Sequence, residues 1–215
     1  VTADVVASYI HGGGRIGVLV AGNGASDDAA KEALTNIAMQ IAAMNPQYIS
    51  RDEISADELA KMKEITIDSA LNDPFSLPKP VLSKLIEKAV AGVWSAEDVA
   101  IYEEKKSNMN FLPNFLSKEA KAQLAEIACA DKEEISGNKI FSGLVEGRIS
   151  KQMKEICLLD QVYVKAEDGK QTVAAYLKSV NSALKIAKFV RFEVGEGMEK
   201  KNEDFAAEVA KQMNV

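Results

Sequence analysis

The chain has 215 residues, 47% hydrophobic and 27% charged, and its 26 basic against 32 acidic side chains leave a net charge of -6. A length of this order buries roughly 70% of the unfolded surface, enough for a core in one large or two small domains. The acidic balance argues against nucleic acid as a direct partner, because phosphate contact favours basic patches, and no run of about 18 apolar residues offers a membrane span.

The chain starts at Val1 and enters a strand pattern almost at once, which reads as a sequence beginning inside a longer protein. No basic, cleavable leader is recognised in its first twenty residues. Cys129 and Cys157 read as small buried hydrophobes of a reducing compartment, in keeping with a cytoplasmic protein.

Val5 to Ile10 and Arg15 to Val20 are β-rich, and the Gly12-Gly13-Gly14 link between them is too short for a parallel crossover. An antiparallel hairpin follows. Gly22-Asn23-Gly24 should close the second strand. Leu34, Ile37, Ala38, Ile41 and Met44 share one face of a helix over Asp27 to Met44, which Asn45-Pro46 stops. Ser55 and Glu58 fit a capping box for a helix reaching about Leu71. Asp73 to Pro80 is proline-rich and breaks the pattern. Leu82, Leu85, Ile86 and Ala89 then mark a further helix face. Ser95 caps a short helix ending in Glu103-Glu104-Lys105-Lys106, and helices are expected over Ser117 to Ala130 and Asn138 to Cys157. Towards the end Leu159 to Val164 is strand-like, Thr172 to Ser179 helical, and Lys188 to Val194 alternates like a strand. A last helix, Glu203 to Met213, sets Phe205, Val209 and Met213 on one face. The fold class is therefore α+β, a small antiparallel sheet packed with helices and interrupted by a helical insertion.

Motifs for bond chemistry are weak. Gly12-Gly13-Gly14-Arg15-Ile16-Gly17 matches G-x-G-x-x-G in form, but a dinucleotide site needs a helix after the glycines and this one leads into a strand. His11-Gly12-Gly13-Gly14 resembles an esterase oxyanion loop, yet there is no G-x-S-x-G and no second histidine to act as base. One histidine and two distant cysteines give no metal-ligand spacing, and no cofactor is implied. Trp94, Glu97, Asp98 and Tyr102 lend the insertion some polarity, which helical packing with a solvated face explains. His11 itself suits a hydrogen-bonding turn residue or, flanked by glycines on an exposed tip, a residue that enters a partner's pocket.

Two stretches carry a family resemblance: Ser8 to Val20 (SYIHGGGRIGVLV) and Phe189 to Gly197 (FVRFEVGEG). Both resemble bacterial elongation factor Ts, the nucleotide-exchange factor for elongation factor Tu. Ala38 to Ala43, Asn45-Pro46, Val145 to Arg148 and Asp204 to Val209 agree in the same order. The resemblance implies a core half over residues 1–54 with 156–197, a coiled-coil-like helical protrusion over 55–155 enlarged by an insertion at about 73–137, and a C-terminal helical module over 198–215. It implies elongation factor Tu as the protein partner, no bond chemistry, and promotion of GDP release. His11, Gly12, Gly13, Arg15, Val164, Phe205 and Val209 fall on the family's partner-binding positions. The family's Thr-Asp-Phe-Val motif is not found in these 215 residues, so weak exchange activity is expected of the chain alone. The competing expectation is a self-associating structural module that forms a homodimer through its sheet.

Overall fold

The computed structural model describes residues 2–197. In chain order these form β1 (Val5–His11), β2 (Ile16–Asn23), α1 (Asp28–Met44), α2 (Ala56–Asn72), α3 (Lys79–Val90), α4 (Ala96–Lys105), α5 (Lys118–Ala130), α6 (Lys132–Ser136), α7 (Lys139–Ile156), α8 (Val173–Val180) and β3 (Lys185–Glu193). The helix expected over Glu203 to Met213, with Phe205 and Val209, lies outside the described residues. The chain divides into two compact units, residues 1–45 with 162–215, and residues 46–161.

The first unit is the α+β part. Its sheet has the order β1-β2-β3 with both pairings antiparallel. The β1–β2 turn passes through Gly12, Gly13 and Gly14 at φ of 60°, 67° and 94°, a left-handed run that glycine adopts without a side-chain clash. Side chains alternate across the sheet. Val5, Ala7, Val18 and Val20 are buried on one face, against which α1 packs through Ala30, Ala33, Leu34, Ile37, Ala38 and Ile41. Asp27 caps α1 by accepting from the Ala30 N–H at 2.8 Å. Asn45 ends it in the left-handed conformation (φ 45°) with its N–H still bonded to the Ile41 carbonyl. Gly24 lies so close to the loop before β3 that a Cβ there would meet the Ala183 carbonyl oxygen at 2.0 Å.

β2 runs on to Asn23, past the glycine expected to close it, because β3 continues to pair with it. β3 begins at Lys185, three residues before the expected start. The register shifts between Ala21 and Gly22, whose partners are Lys188 and Ile186. Ala187 is the extra residue of this bulge, and it breaks the period of two that would have revealed the strand's first turn. Leu159 to Val164 is not a strand. Leu158 to Asp160 is a single 3-10 turn, and Val162 makes only an isolated bridge to Thr172.

The second unit is helical. The Ser55–Glu58 capping box is present, and Glu58 is held below the usual carboxylate range by the Ser55 N–H and hydroxyl, with help from Tyr48. Ser95, Ser117 and Asn138 cap α4, α5 and α7 as their positions predict. The core gathers Leu71, Leu82, Ile86, Trp94, Leu112, Leu124 and Phe141. The unit's two ends are tied together. The Gln47 and Tyr48 N–H groups donate to the Ile156 carbonyl at 2.8 and 3.1 Å, the Leu158 N–H donates to the Tyr48 carbonyl at 2.9 Å, and Arg51 Nε donates to Asp160 at 2.6 Å. Cys157 is buried here, and burial pushes its thiol up. Cys129 is exposed near the end of α5, contrary to expectation, because the buried stripe there runs through Leu124 and Ala128.

Candidate protein-docking site

The hairpin turn gathers four of the sequence-predicted contact residues. His11, Gly12, Gly13 and Arg15 lie within five residues and are exposed at the tip. Arg15 holds the turn against β3, since its carbonyl accepts the Val194 N–H at 2.9 Å. The three glycines bear no side chains, so His11 and Arg15 stand clear on either side of a bare backbone. β2 begins immediately afterwards at Ile16, so these glycines lead into a strand and offer no helix N-terminus for a phosphate.

His11 sits on the same strand face as Val5, Ala7 and Tyr9, beyond the part that α1 buries. Its Nδ1 lies 3.1 Å from the Tyr9 hydroxyl, with the ring centroids 5.9 Å apart at 35°. Tyr9 pairs with Val18, which pairs with Arg191, so one row crosses the sheet next to the tip. Arg191 donates to Glu193 at 2.7 Å, with its own side chain 11% exposed.

Val164 belongs to a separate segment of the same unit. The buried Gln40 of α1 grips that segment at both amide atoms: Nε2 donates to the Val162 carbonyl at 3.0 Å, and Oε1 accepts the Val164 N–H at 2.7 Å. The side chain stands in for a neighbouring strand. Tyr163 between them turns inward and stacks on Tyr176, centroids 4.0 Å apart at 12°. Burial, followed by the hydrogen bond to Tyr176, holds the Tyr163 phenol well above its usual range. Tyr176 accepts in turn from Asn36 at 2.9 Å, and Lys165 donates to Asn36 at 2.7 Å. Val162 and Val164 are thereby left pointing outward, 48% and 47% exposed.

Sequence reasoning missed Tyr9 and Gln40. The period of two places Tyr9 beside His11, and Gln40 is a polar residue within the buried spacing of Ile37 and Ile41. The opposite face of the sheet bears a further apolar surface: Val6, Ile10, Leu19 and Phe192 are 54%, 72%, 47% and 60% exposed.

The polar residues singled out in the helical unit serve its packing. Trp94 Nε1 donates to the Ala120 carbonyl at 2.9 Å, and its ring meets Tyr102 edge-on. Asp98 is buried and accepts from the Ser95 hydroxyl, the Ser117 N–H and the Ser117 hydroxyl. Glu97 is exposed on the first turn of α4. No helix among the described residues is long and apolar enough to cross a membrane.

A family model described as elongation factor TS matches residues 1–196. Elongation factor Ts of Clostridioides difficile (strain 630) is 37% identical over 216 residues, covering 99% of this chain and 51% of that protein. Elongation factor Ts of Desulforamulus reducens is 35% identical over 218 residues, covering 98% of this chain and 72% of that protein. The same factor of Alkaliphilus metalliredigens is 37% identical over 216 residues, with 97% and 72% covered. The chain thus spans about half the length of the first relative and nearly three quarters of the other two. The match extends through the helical unit as well as the sheet, and the chain belongs to the elongation factor Ts family.

Proposed function

We propose that this chain binds elongation factor Tu in the cytoplasm and contributes to a guanine-nucleotide exchange factor that promotes GDP release. Membership of the elongation factor Ts family carries the reading, and the exposed hairpin tip with His11, Gly12, Gly13 and Arg15 supports it as a docking surface. Val164, held outward by Gln40, supplies a second contact, and Phe205 and Val209 supply a third. Exchange of this kind breaks no covalent bond. It works by negative coupling: the chain weakens nucleotide binding to its partner, and nucleotide weakens the chain's binding by the same factor.

Calorimetric titration of nucleotide-free elongation factor Tu tests the reading. Saturable one-to-one binding is expected, and His11→Ala should weaken it by about 1–2 kcal/mol without unfolding the chain, as for a moderate interface hot spot. No binding at tens of micromolar refutes the partner, and an unchanged affinity in the variant refutes the tip as the contact.

A second reading has its own support. The open sheet face carrying Val6, Ile10, Leu19 and Phe192 suits association with another copy of the chain.

A further inference from the structure

His11 is the single histidine of the chain. It is exposed, and the three residues after it have no side chains to pack against. Among the described residues the Tyr9 hydroxyl is the one hydrogen-bond partner of its ring, at 3.1 Å from Nδ1. The rings are tilted at 35° rather than stacked, so the polar contact defines the geometry. Tyr9 is itself half-buried and lies opposite Val18, which is 2% exposed, so the hydroxyl is carried by a fixed part of the sheet. Chemistry sets the direction of the bond. A phenol is a better donor than acceptor, because its oxygen lone pair is delocalised into the ring, and the unprotonated nitrogen of imidazole is a strong acceptor.

We propose that Tyr9 is a positioning residue for His11: its hydroxyl donates to Nδ1, fixes the Nε2–H tautomer and orients the ring so that the tip offers one N–H donor to a carbonyl or carboxylate on the partner. This rests on the docking role given to His11 above. A histidine at a glycine turn otherwise rotates freely about two bonds and divides its proton between two nitrogens. Ordering it in the free chain removes part of the entropy lost on association.

Two measurements on the full chain test the proposal. The first is the ring nitrogen spectrum of a chain carrying ¹⁵N-labelled histidine, recorded in alkaline buffer where imidazole is neutral, and unambiguous because there is one histidine. The wild type should show the Nε2–H form alone. Tyr9→Phe, which keeps the ring and removes the hydroxyl, should show a mixture of forms. Identical spectra overturn the tautomer lock. The second is the affinity for elongation factor Tu of four proteins: wild type, Tyr9→Phe, His11→Ala and the double variant. Tyr9→Phe should weaken binding about threefold when His11 is present, the size of a modest neutral hydrogen bond, and should have no effect in the His11→Ala background. Equal losses in both backgrounds would show that Tyr9 acts on the fold and not through His11. If His11→Ala itself leaves affinity unchanged, the docking role fails and Tyr9's part in it fails too, while the spectrum still reports whether the lock exists in the free chain.

Discussion

Asp98 joins two helix starts. Its carboxylate, 6% exposed, accepts the Ser117 N–H at 2.9 Å and the hydroxyls of Ser117 and Ser95 at 2.9 and 2.8 Å. Those two serines cap α5 and α4. Burial pushes the carboxyl up, but the three donors outweigh it and hold it below the ordinary carboxylate range. A depressed folded pKa stabilises the fold above the unfolded value of about 3.9, and that stability is lost as pH falls through the folded value. Asp98→Ala leaves the Ser117 N–H without its acceptor and should lower stability by about 2 kcal/mol at neutral pH. Denaturant midpoints measured across pH check this: the gap between variant and wild type should narrow in acid as pH falls below about 4 and through the lower folded value. A gap that persists unchanged in acid would mean that the carboxylate charge is not what matters.

At the scale of elements, the clamp on residues 162–164 shows how one side chain fixes a segment that has only an isolated backbone bridge beside it. Gln40 supplies the donor and the acceptor that a neighbouring backbone would give. Gln40→Leu keeps the volume but leaves the Val162 carbonyl and the Val164 N–H unanswered. It should cost about 2 kcal/mol, and native-state hydrogen exchange at Val164 should quicken markedly, while the amides of β1 and β2 keep their protection. Retained protection at Val164 would show that the segment is held by something else. Most of the helices were legible in the sequence because their caps are local: Ser55, Ser95, Ser117 and Asn138 each announce a start within three residues. The hairpin was legible from its glycines. Leu159 to Val164 misled because its alternation suits a strand, whereas its backbone makes only an isolated bridge at Val162 and its last residues are held by the Gln40 side chain of α1. The first turn of β3 was hidden by the bulge at Ala187, and Cys129 by a helix whose apolar stripe is narrow. Of the site, His11 and its glycines stood out in the sequence. Tyr9 and Gln40 did not, since each acts through a hydrogen bond that exists only once the strand and helix have formed.

For the whole molecule, the sheet buries one face under α1 and leaves the other apolar and open. Ile10, Gly17 and Phe192 stand in one row across the three strands, and Leu19 lies between Ser8 and Val190 in the next. If this face meets a second copy, light scattering should show the mass rising towards a dimer with concentration, and Phe192→Lys, at a residue already 60% exposed, should hold the chain monomeric without loss of folded signal. A monomer mass at every concentration would remove self-association as a reading. The bonds that tie the two ends of the helical unit bear on the order of folding. β3 must find β2 across some 160 intervening residues, and most of these lie between Tyr48 and Cys157, which the ties bring side by side. Once the helical unit has closed, the effective loop that β3 has to span shrinks roughly threefold, which lowers the entropy of closure by about 1 kcal/mol. As the chain emerges during synthesis, the late strand therefore inherits a shortcut built by the helices that precede it.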